Sequence, residues 1–185
     1  IQNGYGILAV NPRGSIGYGR DFAGLDDYRN RKNSLKDYKA AVDWLLAEGY
    51  TRQGMIGIRG GSYGGYVVLV MITEYPDLFA AAMNSVVIAN FETFLQNTQA
   101  YRRKNREAEY GPLSRPDFLR TISPIHKADQ IKTPLFVIHG ENDSRVPVGE
   151  ARQVIQAVVS NGGIVDSLIF PDEGHGARKL SNKVT

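Results

Sequence analysis

Ser62 lies in Gly60-Gly61-Ser62-Tyr63-Gly64-Gly65-Tyr66, between an apolar run of strand type and an apolar run of helix type. A serine at such a junction can act as a nucleophile. The chain must turn so sharply there that the hydroxyl stands above the sheet, and side chains in place of the glycines would collide with the neighbouring strand and helix. A serine hydroxyl is a weak nucleophile until a base within hydrogen-bond reach removes its proton. An imidazole base in turn needs a carboxylate to hold one tautomer and to stabilise the charge it acquires. Both residue types follow Ser62 on loops that leave predicted strands. Residues 134–139 read as one strand and run into Gly140-Glu141-Asn142-Asp143-Ser144-Arg145-Val146-Pro147. Val165–Phe170 read as the next, followed by Pro171-Asp172-Glu173-Gly174-His175-Gly176. On residue type alone Asp143, Glu141, Asp129, Asp172 and Glu173 all compete for the carboxylate, although Asp172 and Glu173 share the short loop of His175 and suit solvated or capping roles better.

Gly-x-Ser-x-Gly at a strand-to-helix turn, with an acid and then a histidine downstream, resembles the nucleophile elbow and triad order of α/β-hydrolases. The three segments quoted above together resemble the catalytic domain of the prolyl oligopeptidase family, in particular its acylaminoacyl-peptidase and dipeptidyl-peptidase branches. Asn11-Pro12-Arg13-Gly14-Ser15-Ile16-Gly17-Tyr18-Gly19 resembles a further stretch of that group, and residues 123–134 resemble the approach to its acid strand. The resemblance implies an α/β-hydrolase fold, with Ser62 as nucleophile, Asp143 as orienting acid and His175 as base. It implies a serine peptidase that cleaves short peptides through an acyl-enzyme. A carboxylesterase-type hydrolase and an inactive scaffold are the alternatives. The backbone N–H of Tyr63 is the expected oxyanion donor. A second donor is expected from a His-Gly-Gly-Pro-like loop upstream, and a β-propeller is the domain the family adds. Arg145, two residues after the acid, resembles the family arginine that binds a substrate carbonyl; the competing role is to pin its loop to a carboxylate. Val86, Val87 and Phe91, just past a predicted strand, are candidates to line the pocket for the residue before the cleaved bond, or to pack.

The elements that must position these residues alternate between strand and helix, which argues for a mainly parallel sheet with helices on both faces. Residues 55–58, 80–85, 134–139 and 165–170 are expected strands, and 6–10 (Gly-Ile-Leu-Ala-Val) a further one. A strand missing from this sequence is expected between 6–10 and 55–58. Asn33 or Ser34 is expected to cap a helix whose face repeats Leu35, Tyr38, Val42, Leu45 and Leu46, with Trp44 flanking it. Pro147 is expected to open a helix carrying Ala151, Val154, Ile155, Val158 and Val159, ended at Asn161-Gly162-Gly163. Residues 86–123 read as a helical insertion over the site, and 180–185 as the opening of a last helix. The whole of 1–185 reads as one catalytic domain, cut short at both ends.

Composition narrows the classes further. The 185 residues carry a formal charge of +3, with Lys and Arg scattered except in Tyr101-Arg102-Arg103-Lys104-Asn105-Arg106. Such a run is ordinarily a solvated helix face, so no nucleic-acid partner is expected. No apolar stretch approaches the roughly 18–20 residues of a membrane span, and no membrane partner is expected. With no cysteine and no clustered ligand spacing, neither a metal nor a cofactor is expected. The cysteine-free composition fits a reducing, cytoplasmic setting. His126 and His139 read as structural or surface histidines. The expected partner is a peptide substrate, and an oligomer remains compatible.

Overall fold

Within residues 51–185 four short strands pair side by side into one sheet in the order β1-β2-β3-β4, all parallel. They are β1 (Gly57–Gly61), β2 (Ala81–Ser85), β3 (Leu135–Gly140) and β4 (Val165–Phe170). The computed structural model describes residues 4–184 and divides into two compact units, 1–50 and 51–185. Parallel neighbours require crossovers, and helices supply them. In the second unit α3 (Tyr63–Glu74) links β1 to β2, and α7 (Gly149–Ser160) links β3 to β4. Between β2 and β3 run α4 (Phe91–Asn97), α5 (Ala100–Tyr110) and α6 (Pro116–Ile122), the helical insertion expected for 86–123. α8 (Leu180–Lys183) is a single turn near the end of the described residues.

The core of this unit forms around α3. From Gly65 to Thr73 every residue of the helix is buried, so it is apolar on all sides rather than along one stripe. Tyr66 of α3 meets Phe91 edge-on, with ring centroids 5.0 Å apart, and Phe91 in turn packs on Tyr110 at 4.7 Å. α7 begins at Gly149 rather than Pro147 and buries Ala151, Val154 and Val158 as expected, together with Glu150, whereas Val159 is 58% exposed. The basic run falls on α5. There Arg103 donates to the carbonyls of Leu95, Gln96 and Thr98 at the end of α4, and Arg106 pairs with Glu109.

The first unit holds α1 (Arg20–Ala23), two 3-10 turns and α2 (Arg31–Ala47). Arg13 lies in a two-pronged pairing with Asp37, and buried Arg31 pairs with Asp26. Gly14 sits at φ +94 where a Cβ would strike Asp26, so the Arg-Gly step of the 11–19 motif admits no other residue without strain.

Three expectations need correction. The run 6–10 forms no strand, and Ile7 is 82% exposed. An apolar run becomes a strand only through ladder hydrogen bonds to a neighbour, and no described segment pairs with it. α2 begins at Arg31, so neither Asn33 nor Ser34 caps it; the turn Tyr28–Asn30 runs straight into the helix. Ser34 instead turns its hydroxyl back to the carbonyl of Arg31. β1 begins two residues later than expected, at Gly57, and runs to Gly61, so its end meets Ser62 directly.

Candidate active site

All four strands end at one edge of the sheet, because parallel register aligns Gly61 with Ser85, Ser85 with Ile138, and Gly140 with Phe170. The loops that leave this edge carry Ser62, Val86, Asp143 and His175. A sheet of this kind therefore gathers residues far apart in sequence at its carboxyl end.

Ser62 occupies the one-residue turn between β1 and α3, at φ 57 and ψ −116, a backbone conformation that L-residues avoid. Its N–H donates to the carbonyls of Ser85 (2.9 Å) and Val86 (3.1 Å), and these bonds fix the turn against the end of β2. Glycines allow the approach. A Cβ on Gly60 would come 2.2 Å from the carbonyl oxygen of Gly64, and one on Gly65 would strike both Asn84 and the carbonyl of Val86. The Ser62 side chain does not cap its own helix, which leaves the hydroxyl available to a base. Tyr63, the first residue of α3, places its amide at the positive end of the helix dipole.

Asp143 lies on the loop after β3 with its side chain fully buried. Oδ1 accepts the backbone N–H groups of Arg145 (2.8 Å) and Val146 (2.9 Å), so the loop wraps around its own carboxylate. Oδ2 lies 2.7 Å from Nδ1 of His175, which is about one-fifth exposed. A carboxylate can only accept, so Nδ1 of His175 holds the proton and Nε2 is left as the basic nitrogen. Among the described residues no hydrogen bond joins Ser62 to His175. The rival acids are spent elsewhere. Glu141 is gripped by Arg152, Asp129 takes Gln130, and Asp172 takes Lys179 and Asn182.

Glu173 binds the loop that carries His175. Its Oε1 accepts from the N–H groups of Arg178 and Lys179 and from the Asn182 amide, while its own carbonyl takes the N–H of Asn142. These bonds, led by the one from Lys179, hold its carboxyl below the ordinary glutamate value. Gly140 lies so close to this loop that a Cβ would come 2.2 Å from the carbonyl oxygen of Gly174. Acid loop and base loop are thus in backbone contact.

The substrate-side candidates divide. Arg145 is exposed, and among the described residues its guanidinium has no carboxylate partner, so it does not pin its loop. Val86, Val87 and Phe91 are 5%, 0% and 0% exposed, and their surfaces are consumed by packing. Val86 takes φ 64, a severe strain for a β-branched residue, and its carbonyl supports Ser62. Val87 donates its N–H to His139, and Phe91 stands in the aromatic cluster. Of the other histidines, His126 lies 3.9 Å from Glu92 near the surface and His139 is buried.

Sequence reading missed Glu150. Its carboxylate, 1% exposed, accepts the N–H groups of Ala89 and Asn90 and the hydroxyl of Thr93. Burial pushes its pKa above the ordinary glutamate range. The signal was present: Glu150 stands four residues before Val154 and eight before Val158, on the apolar face of its helix. Among the described residues no group of three or more His, Asp or Glu is placed to hold a metal ion, and no helix is long and apolar enough to cross a membrane.

The sequence matches the prolyl oligopeptidase family over residues 1–185. It is 38% identical to dipeptidyl aminopeptidase BIII of Pseudoxanthomonas mexicana over 98% of this chain and 27% of that one. The fold superposes with a TM-score of 0.85 on a puromycin-hydrolyzing peptidase of Mycobacterium tuberculosis, at 29% identity, over 94% of this chain and 27% of the other. An acylaminoacyl peptidase of Pyrococcus horikoshii gives a TM-score of 0.81 at 29% identity, over 90% and 27% respectively. The chain thus spans about a quarter of the length of the relatives it matches.

Proposed function

Because the chain belongs to the prolyl oligopeptidase family, we propose that it is the catalytic region of a serine peptidase that cleaves short peptides through an acyl-enzyme. One observation carries the reading most: His175 is held at 2.7 Å by a buried, twice-anchored Asp143 on the same sheet edge as the strained turn of Ser62. His175 Nε2 takes the proton of Ser62 as Oγ attacks the scissile carbonyl. Asp143 stabilises the imidazolium that results, and His175 then returns the proton to the leaving amine. The amide of Tyr63, backed by the dipole of α3, stabilises the oxyanion. Arg145, exposed and without a carboxylate partner, binds a carbonyl or carboxylate of the bound peptide.

The substrate in this reading is a peptide with a free or acylated terminal residue, which the similarity to an aminopeptidase and an acylaminoacyl peptidase supports. The relatives are about four times longer, which supports a further domain in the full-length protein, in this reading a β-propeller that screens peptides by size. In the full-length protein Ser62→Ala should lower turnover by on the order of 10⁴–10⁶-fold with little change in substrate binding. A fluorophosphonate probe should label Ser62. Turnover retained in the alanine variant would exclude a serine mechanism, and hydrolysis of simple esters without peptides would exclude a peptidase.

A further inference from the structure

His139 is the penultimate residue of β3, on the same face of the strand as Leu135 and Val137, and is 1% exposed. Both of its ring nitrogens are engaged. Nδ1 lies 3.3 Å from the N–H of Val87, and Nε2 lies 3.0 Å from the carbonyl of Val146 and 3.8 Å from Asp143 Oδ2. A backbone amide can only donate and a carbonyl only accept. Nδ1 is therefore the bare nitrogen, Nε2 carries the proton, and the ring is neutral in a single tautomer. Burial, aided by the charge of His175, holds its pKa below the ordinary histidine value against the opposing pull of Val146, Asp143 and Glu141.

The two segments joined by this ring are those that hold the reacting groups. Val87 follows Val86, whose carbonyl supports the N–H of Ser62. Val146 donates its own N–H to Asp143 Oδ1. One imidazole therefore spans from the backbone behind the nucleophile to the loop that encloses the acid. We propose that His139 is a positioning residue for this reaction, which sets the separation between Ser62 and the Asp143–His175 pair through its two backbone hydrogen bonds. The inference rests on the serine-peptidase reading; His139 itself touches no substrate.

Three variants of the full-length protein test it. His139→Phe keeps a planar ring without hydrogen bonds. His139→Gln places an amide oxygen and an amide N–H at a similar spacing to the ring nitrogens. His139→Asn carries the same groups on a side chain too short to reach both partners. Acylation of Ser62 by an activated aminoacyl ester in a single turnover, kcat and KM on a peptide substrate, and Tm are measured for each. In the Phe variant acylation and kcat should fall by on the order of 10²-fold with KM little changed, the cost of a displacement near an ångström at the reacting atoms. The Gln variant should recover most of that rate with an unshifted acid limb in its pH profile. A Phe variant that acylates at the wild-type rate overturns the proposal. So does a Gln variant of wild-type Tm that acylates as slowly as the Phe variant, and a displaced acid limb would make His139 a proton-transfer group instead. If the Phe variant does not fold, the Asn variant replaces it: slow acylation beside a fast Gln variant supports positioning, and a wild-type rate overturns it. Turnover retained by Ser62→Ala removes the peptidase reading itself, whereas turnover retained by His139→Phe removes only the positioning role.

Discussion

Asp143 is held by backbone amides and His175 by the Asp143 carboxylate and a loop tied to the Glu173 side chain, so the residue types could be read from sequence and their support could not. Asp143 is enclosed by amides of its own loop, and the loop of His175 is tied down by Glu173. Glu150 does the same for the segment after β2, and its charge gives a stability prediction. Its folded pKa is raised by burial, so between the unfolded and folded values the native state binds more protons than the unfolded one. The contribution of Glu150 is then largest below the ordinary glutamate range, and is lost as pH rises through the folded pKa. Glu150→Gln keeps an acceptor for Ala89 and Asn90 without the charge. It should leave Tm at pH 8 unchanged or higher and flatten its pH dependence. Glu150→Ala leaves buried amides unpaired, each costing about 1–3 kcal/mol, and should lower Tm at every pH. Equal melting curves for the Gln and Ala variants would contradict this account. His139 has the opposite sign. With its folded pKa depressed, the stability it contributes is present above about pH 6.5 and is lost as pH falls below that value.

At the scale of elements, the parts that read correctly are those whose signal is local. The glycines around Ser62, the helix face of α7 and the run that became β4 are short-range patterns, and each element formed where its pattern lies. Residues 6–10 failed because an extended run depends on a partner that sequence periodicity does not contain. The start of α2 failed because a buried Arg31–Asp26 pair, not a polar cap, marks the helix entrance. Val86, Val87 and Phe91 were placed correctly past a strand end, but whether such residues face a substrate or the core depends on the aromatic cluster around them. The contact between the acid and base loops is equally invisible in sequence, and it is testable. Gly140→Ala sets a methyl group against the backbone of Glu173 and Gly174, where no flexible side chain can yield. The loops should separate, with acylation of Ser62 slowed on the order of 10²-fold and Tm lowered. A Gly140→Ala variant that labels at the wild-type rate would show that the loops part without moving His175.

At the scale of the whole molecule, β1 and β4 are the two outer strands of the sheet among the described residues, and sequence reading anticipated an open side at β1. Among the described residues β1 pairs only with β2, and Gly57, Arg59 and Gly61 are exposed along it. An unpaired edge is a template for another strand. The 185-residue chain purified alone should therefore self-associate as its concentration rises; a single monomeric species in light scattering at high micromolar concentration would count against an accessible edge. The level ends of the four strands have a different consequence, one of folding kinetics. Every pairing in the sheet is non-local, since parallel neighbours are separated by whole crossovers, and topologies of that kind fold slowly. The nucleophile comes from the first strand, its backing from the second, the acid from the third and the base from the last. A chain refolding from denaturant should regain helical signal before it reacts with a fluorophosphonate, and the reactive serine should return only with the slowest phase, when the fourth strand docks.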